Sequence, residues 1–305
     1  MSIASRIQVN QMAGETSPIT ALNRWRTLRQ VFKHKDRTIA YWTAGAGPTI
    51  LLIHGFPTAS FDWWKMWDAL AARFHVVAAD MLGFGFSDKP SADPYLLTDQ
   101  ATLQEALAAH LGTKRTHLLA HDYGVSVAQE LLARQGEGGS ALQLDSAVFL
   151  NGGLFSEMHR ATPGQLALVS DAGPTLSASM TRETFGAAMP AMFGPATQPS
   201  GEELDALWSL VSMQDGQVLW WKVLDYMRQR RENGARWVGA LTRALVPQRL
   251  INGPEDPVSG RHAAEHYRRH VRDSDVVLIE GIGHWPQIEA PAATLDAIFA
   301  FHDRL

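Results

Sequence analysis

A sharp turn between a buried strand and a helix constrains the fold of this chain most. Residues 116–120 form an apolar run typical of a buried parallel strand, and residues 125–133 have the pattern of a helix. The turn between them is Ala120-His121-Asp122-Tyr123-Gly124, with a small residue at each end that lets the backbone turn tightly. Strands and helices alternate on both sides of this turn, so the sequence predicts an α/β fold with a mostly parallel sheet.

The residue at the centre of the turn, Asp122, decides which chemistry is available. An aspartate is ionised at neutral pH, so it needs no base to activate it. It is a weak nucleophile suited to displacement at saturated carbon, and the product is an alkyl ester of the protein. The alternative is an aspartate at a strand end that only caps the next helix. No G-x-S-x-G motif is present, which argues against an esterase.

Hydrolysis of an alkyl ester on Asp122 requires a base that activates water, and His284 is the predicted base. It lies in a glycine-flanked loop after the apolar strand 276–278; the alternative is a histidine satisfied within the core. Asp256, at the end of a strand and turn over residues 249–258, is the predicted acid that orients the base. Its neighbour Glu255 is the alternative acid.

Five segments, one of them within the turn described above, occur in a fixed order along the chain, and they carry a resemblance to a known family. They are residues 54–64, 82–90, 121–124, 151–153 and 236–241. With these motifs the chain resembles α/β-hydrolases of the epoxide hydrolase and haloalkane dehalogenase group, and within it the mesoderm-specific transcript protein family, over residues 37–301. The resemblance implies an α/β-hydrolase fold with a mostly parallel eight-stranded sheet flanked by helices. Asn151 stands where some relatives carry the orienting acid, which favours Asp256.

The resemblance also predicts how the chain is divided. Residues 23–153 and 245–305 would form the hydrolase core. Residues 154–244, which are helical in pattern and rich in methionine and tryptophan, would form a cap inserted after the sixth core strand. Residues 1–22 are polar and mixed, without the membrane-anchoring run of the animal family members, so they are predicted to be a loose N-terminal arm.

The family further implies an oxyanion hole and donors to the leaving group. The backbone N–H groups of Phe56 and Tyr123 would form the oxyanion hole. Epoxide hydrolases of this fold usually offer two cap tyrosines; Tyr226 matches the second, although a packing role is an equal alternative. The first is missing, and His159 or a water molecule would replace it.

Three functions therefore remain open, and they differ in what the site must supply. The favoured one is epoxide opening on a small apolar substrate, followed by attack of water. Haloalkane dehalogenation is second: halide binding needs N–H donors, and Tyr123 and Phe56 stand at the two positions where dehalogenases usually hold the halide. Trp63 or Trp64 could supply one indole N–H, but a full set of donors is not visible in the sequence. The third is a catalytically silent hydrolase-fold binding protein.

Composition narrows the remaining possibilities. A net charge of −4 gives no reason to expect nucleic acid or an anionic membrane as partner, and the absence of cysteine removes disulfides and thiolate metal sites. We expect a cytoplasmic enzyme without cofactor or metal, and a homodimer stays open. The cluster of Arg228, Arg230, Arg231 and Arg236 is interpreted as a solvated helix face, with binding of an acidic ligand as the alternative.

Overall fold

The computed structural model describes Met12 and residues 17–243 and 245–305, which form an α/β domain around one sheet. Its eight strands, numbered β1 to β8, are Gln30–His34, Arg37–Ala44, Thr49–Ile53, His75–Ala79, Arg115–Ala120, Gln143–Leu150, Gln248–Asn252 and Asp275–Leu278. They lie in the order β1-β2-β4-β3-β5-β6-β7-β8. β1 and β2 pair antiparallel, as do β2 and β4, and the remaining pairs are parallel. This confirms the predicted mostly parallel eight-stranded sheet.

Thirteen α-helices occur in the described residues, and most of the longer ones flank the sheet. Numbered α1 to α13, they are Pro18–Leu28, Trp67–Ala71, Leu97–His110, Tyr123–Gly136, Pro163–Leu168, Gly173–Ala178, Arg182–Ala188, Gly201–Val211, Trp220–Val223, Tyr226–Arg243, Arg261–His270, Pro286–Glu289 and Pro291–His302. Four 3-10 helices are Ser60–Trp63, Ser156–Met158, Met189–Met192 and Met213–Leu219. Between β6 and β7, the part of the chain predicted as a cap, the described residues form helices and no strand.

The core lies on both faces of the sheet, as the alternation along β3 shows. Leu51 and Ile53 join one hydrophobic cluster, and Ile50 and Leu52 join the other. Successive strand residues point to opposite faces, so the sheet separates the two clusters. The first cluster contains residues of α4 and α10, which pack against each other, and the second contains residues of α1 and α13.

The start of the described chain differs from the predicted loose arm. Residues 1–11 and 13–16 lie outside the described residues, but residues 18–22 belong to α1. Ser17 caps this helix by accepting a hydrogen bond from the backbone N–H of Thr20. Further along the helix, Trp25 is fully buried and stacks on Trp42, with ring centroids 4.8 Å apart. The prediction of a loose arm is therefore wrong for residues 18–22, because their apolar face is part of the core.

The described residues contain no helix that is both long enough and apolar enough to cross a membrane.

Candidate active site

The turn between β5 and α4 holds Asp122 in an unusual backbone conformation. Its φ is 46° and its ψ is −111°, a region that L-residues rarely adopt. Neighbouring backbone leaves little room there: a Cβ on Gly124 would lie 2.4 Å from the carbonyl oxygen of Ile53. The Asp122 N–H donates to the carbonyl oxygen of Asn151 at 2.7 Å, which ties the turn to the end of β6. The side chain is thereby presented above the carboxyl edge of the sheet.

His284 and Asp256 follow β8 and β7, and the structure brings them together. Nδ1 of His284 lies 2.8 Å from Oδ2 of Asp256, and Nε2 of His284 lies 3.8 Å from Oδ1 of Asp122. Glu255, the alternative acid, is exposed and makes no such contact. Since a carboxylate can only accept, Nδ1 carries the proton and Nε2 faces Asp122.

Three further groups hold the Asp256 carboxylate in place. Oδ2 accepts hydrogen bonds from Ser259 Oγ at 2.6 Å and from Asn151 Nδ2 at 3.0 Å, and Oδ1 accepts from the Val258 N–H at 2.8 Å. Asn151 thus occupies a position where an acid could stand and instead positions the acid of the next strand.

The charges of these three side chains are coupled. Burial lowers the pKa of His284, but the charge and hydrogen bond of Asp256, with the charge of Asp122, outweigh it and raise the pKa to about 9. Burial raises the pKa of Asp122, but the positive charges of His284 and Arg230 outweigh it and hold the pKa below its usual value. For Asp256 the balance likewise lowers the pKa. At neutral pH an imidazolium therefore lies between two carboxylates.

The other oxygen of Asp122 faces the predicted oxyanion hole. The backbone N–H of Phe56 donates to Oδ2 of Asp122 at 3.0 Å. Tyr123 is the first residue of α4, so its N–H has no acceptor within the helix. The Phe56 N–H thus contacts the carboxylate directly, whereas the part of the Tyr123 N–H in an oxyanion hole stays a prediction.

Tyr226, at the first turn of α10, is fully buried beside Asp122. Its ring meets the ring of Tyr123 edge-on at 5.4 Å, and its hydroxyl accepts a long hydrogen bond from Gln165 Nε2 at 3.5 Å. Burial and the Asp122 charge raise its pKa, so the hydroxyl keeps its proton at neutral pH. Because Gln165 donates to this oxygen, the hydroxyl proton is free to be donated elsewhere.

Arg230 is a site residue that the sequence analysis missed. It is 2% exposed, and its Nη2 donates to the backbone carbonyl of Asp122 at 3.2 Å, while Nε donates to Ser126 Oγ at 2.6 Å. Its guanidinium lies 4.5 Å from the centre of the Tyr226 ring. The interpretation of the arginine cluster as a solvated face is therefore wrong for this member.

The spacing along α10 contained the signal for Arg230. Arg230 follows Tyr226 by four residues and precedes Trp237 by seven, which places the three on one face of a helix. All three are buried. By contrast, Arg228 is exposed and pairs with Asp225 and Glu232.

The indole groups considered as halide donors lie in another part of the core. Trp63 and Trp64 belong to the cluster that contains Trp25 and Trp67, whereas Tyr123 and Tyr226 belong to the cluster on the other face. Trp64 stacks on Phe61, with centroids 5.7 Å apart. No hydrogen bond links either indole to Asp122 in the described residues.

His121, next to Asp122 in the turn, is hydrogen-bonded to the backbone of His284. Burial lowers its pKa to about 3, so the ring is neutral, and its Nε2–H donates to the backbone carbonyl of His284 at 2.8 Å. No group of three or more His, Asp or Glu side chains suited to a metal ion occurs in the described parts of the chain.

An aspartate at a strand–helix turn, with a histidine and a second acid after the last two strands of a mostly parallel sheet, defines an α/β-hydrolase. The chain belongs to the alpha/beta hydrolase fold family, whose model matches residues 48–291. It is 40% identical to the mesoderm-specific transcript protein of Mus musculus over 294 residues, covering 92% of this chain and 88% of that protein. The resemblance predicted from the sequence motifs is thus confirmed.

Solved structures of similar fold include proteins named for different activities. A membrane phospholipase A, described as a bacterial virulence factor, is 26% identical with a TM-score of 0.74, covering 94% of this chain and 91% of that chain. The epoxide hydrolase CorEH is 19% identical with a TM-score of 0.75, covering 90% and 98%. The haloalkane dehalogenase DatA of Agrobacterium tumefaciens C58 is 18% identical with a TM-score of 0.76, covering 90% and 96%. At such identities the last two show the fold alone.

Proposed function

We propose that this protein is a hydrolase that opens epoxides through an alkyl ester on Asp122. The observation that carries the proposal is the arrangement around this carboxylate: Oδ2 is bound by the Phe56 N–H at 3.0 Å, and Oδ1 lies 3.8 Å from the His284 ring. Oδ2 is placed to carry the oxyanion of the second step, and Oδ1 is placed to attack the substrate carbon in the first. An aspartate with a lowered pKa is ionised and ready to do so.

In the first step, Oδ1 of Asp122 attacks an epoxide carbon and the carbon–oxygen bond of the ring breaks. The departing oxygen takes the hydroxyl proton of Tyr226, which becomes a phenolate. The ester has no charge, so one of the two carboxylates that raise the pKa of His284 is gone. The imidazolium then returns a proton to Tyr226 and becomes a neutral base.

In the second step, Nε2 of His284 takes a proton from water as the water attacks Cγ of Asp122. The negative charge develops on Oδ2, where the N–H groups of Phe56 and Tyr123 stabilise it. The tetrahedral intermediate collapses and the bond between Cγ and Oδ1 breaks. Oδ1 leaves as the second diol oxygen and takes the proton of the new carboxylic acid. Asp122 is again a carboxylate, His284 again an imidazolium, and one water has been added to one epoxide.

The helical segment 154–244 would act as the cap of this site. Its α10 supplies Tyr226, its α5 supplies Gln165, and the ring of Trp220 meets the ring of Phe56 edge-on at 5.3 Å. These contacts surround the carboxylate with apolar and weakly polar groups, which suits a small substrate whose reacting end is apolar.

Two other reactions are less well supported. Haloalkane dehalogenation, the activity for which DatA is named, needs N–H donors for the halide, and the two tryptophans considered for this role lie in the other cluster. Ester hydrolysis would require Asp122 to form a mixed anhydride, which is a high-energy intermediate. Epoxide opening needs a proton donor, and Tyr226 is present.

The test uses His284→Gln, which keeps Asp122 but lacks the base for the second step. After exposure to separate epoxide and haloalkane panels, intact mass would be measured and the modified peptide mapped. A gain equal to the whole epoxide on Asp122 is expected. A gain equal to the haloalkane minus hydrogen halide would replace epoxide opening by dehalogenation, and no adduct from either panel would contradict the alkyl-ester mechanism.

Two variants serve as controls for this trap. Asp122→Asn in the His284→Gln background removes the nucleophile and should abolish the adduct. Glu255→Gln, an exposed neighbour of Asp256, should leave turnover as it is in the wild type.

A further inference from the structure

We propose that Arg230 and His159 form an anion-binding subsite, so that the substrate carries a carboxylate besides its reacting carbon. The reacting part of this statement rests on the proposed function; the subsite itself does not. The argument starts from the guanidinium of Arg230, which is buried beside Asp122 and forms no ion pair with a carboxylate in the described residues. Arg249, also buried, pairs with Asp275 at 2.8 Å.

An unpaired buried charge is costly, so the missing partner of Arg230 needs an explanation. Its three hydrogen bonds go to Ser126 Oγ, His159 Nδ1 and the backbone carbonyl of Asp122. A guanidinium has five N–H groups, so two remain for a ligand. The carboxylate of Asp122 supplies some compensating charge, as its lowered pKa indicates.

The reaction removes this compensation. Once Asp122 is an ester, its negative charge is lost while Arg230 stays positive, because a guanidinium keeps its proton in proteins. A carboxylate on the substrate would restore the balance at the moment when the covalent intermediate forms. The subsite would therefore stabilise the intermediate as well as select the substrate.

His159 contributes a second donor at the same place. Its pKa is lowered to about 4 by burial and by the charge of Arg230, so the ring is neutral near pH 7. Arg230 Nη1 lies 3.3 Å from Nδ1 of His159, and since an arginine can only donate, Nδ1 accepts. The ring proton is therefore on Nε2, which is buried and has no hydrogen-bond partner in the described residues.

The backbone next to Arg230 leaves room for its guanidinium. A Cβ on Gly153 would lie 2.2 Å from Arg230 Nη1, so an alanine at this position would clash with the guanidinium. Arg230 and His159 both line a cavity of about 910 Å³ whose wall includes Lys222 and Arg231. Asp122 is not part of this wall; it adjoins the cavity through Arg230, which donates to its backbone carbonyl.

The charge and the apolar lining of that cavity favour an anion with an apolar body. Four cations and two carboxylates line it, although the whole chain has a net charge of −4. The local excess of positive charge would attract an anion from solution. Leu168 and Met227 line the same space and can pack against hydrocarbon. A planar carboxylate matches the fork of an arginine, which favours it over a spherical ion.

The test compares two unreactive ligands of the same skeleton, 3-phenylpropanoate and 3-phenylpropan-1-ol, by calorimetry on the whole protein. The acid is expected to bind about tenfold more tightly than the alcohol, as a charge-assisted pair would give. Arg230→Gln should remove this preference, and Arg230→Lys should restore part of it. Arg243→Gln is the matched control, because Arg243 is exposed on the same helix and does not line this cavity.

Equal binding of acid and alcohol to the wild type would overturn the proposal, even if the Arg230 variants failed to fold. So would a preference for the acid that survives in folded Arg230→Gln. Tighter binding of 3-phenylpropyl phosphate than of the acid would replace the carboxylate by a phosphate.

The same experiment separates this inference from the proposed function, because neither ligand can alkylate Asp122. A preference for the acid without any epoxide adduct in His284→Gln would keep the subsite and reject the alkyl-ester chemistry. Turnover of 3-phenylglycidol as efficient as that of 3-phenylglycidate would reject the subsite and keep the chemistry.

Discussion

Nε2 of His284 lies 3.8 Å from Oδ1 of Asp122, beyond hydrogen-bond distance, while Nδ1 of the same ring lies 2.8 Å from Asp256. The His284 ring is thus hydrogen-bonded on one side and faces Asp122 through charge alone on the other. In the proposed mechanism, alkylation of Asp122 would leave the Asp256 contact intact and remove the Asp122 charge. The protonation state of His284 would then change with the stage of the reaction.

We predict that Asp122→Asn, which mimics the neutral ester, has a lower pKa at His284 than the wild type. The wild-type value is raised to about 9, partly by the charge of Asp122. NMR titration of the ring in both proteins measures the difference. An unchanged pKa would mean that Asp256 alone sets it, and that alkylation does not release the base.

The raised pKa of His284 also predicts how stability depends on pH. An unfolded histidine has a pKa near 6.5, so the folded state holds this proton more tightly, and the stabilisation is complete below about pH 6.5. It is lost as the pH rises through about 9. The difference in melting temperature between wild type and His284→Gln should therefore shrink between about pH 6.5 and about pH 9.5. A constant difference would argue against a raised pKa.

Tyr226→Phe is predicted to slow alkylation by about 10²–10⁴-fold, the usual contribution of a positioned proton donor. The measurement is the rate of ester formation with an epoxide in the His284→Gln background, followed by intact mass. Tyr267→Phe, which removes another buried tyrosine hydroxyl on α11, is the control and should alkylate at the parent rate. If Tyr226→Phe matched that control, the tyrosine would have only a packing role.

Trp25→Ala is predicted to destabilise the protein by about 3–5 kcal/mol, the usual loss for a large buried aromatic side chain. Trp25 is fully buried, stacks on Trp42 and meets Trp67 edge-on, each at 4.8 Å. Chemical denaturation measures the change in the free energy of unfolding. Arg24→Ala, one residue earlier on the exposed side of α1, is the comparison. A loss below about 1 kcal/mol would mean that α1 is not part of the cooperative core.

The sequence predicted the residues that follow strands better than those on helices. Asp122, Asp256 and His284 each come after a strand of a parallel sheet, and the carboxyl ends of such strands share one edge. Their proximity follows from strand order alone. Arg230 does not follow a strand, so only its spacing from Tyr226 and Trp237 along α10 distinguishes it from the exposed arginines beside it.

Helix boundaries near aromatic clusters also could not be predicted from the sequence. Residues 61–73 have the sequence pattern of a single helix, but the structure has a 3-10 helix, Ser60–Trp63, and a short α-helix, Trp67–Ala71. Phe61, Trp63 and Trp67 are all buried, and placing three large rings in one core favours a break over a regular helix. The start of α1 was marked by Ser17-Pro18, a common N-terminal signal, but the polar residues before it obscured it.

The positive φ of Asp122 ties the backbone of the turn to the charges around it. A residue held in so rare a conformation costs about 1–3 kcal/mol, and glycine would adopt it more easily. Asp122→Gly would relieve this strain, but it would also remove the carboxylate that accepts from Phe56 and faces the charges of His284 and Arg230. The conformational cost is thus offset only while an acid stands at this position.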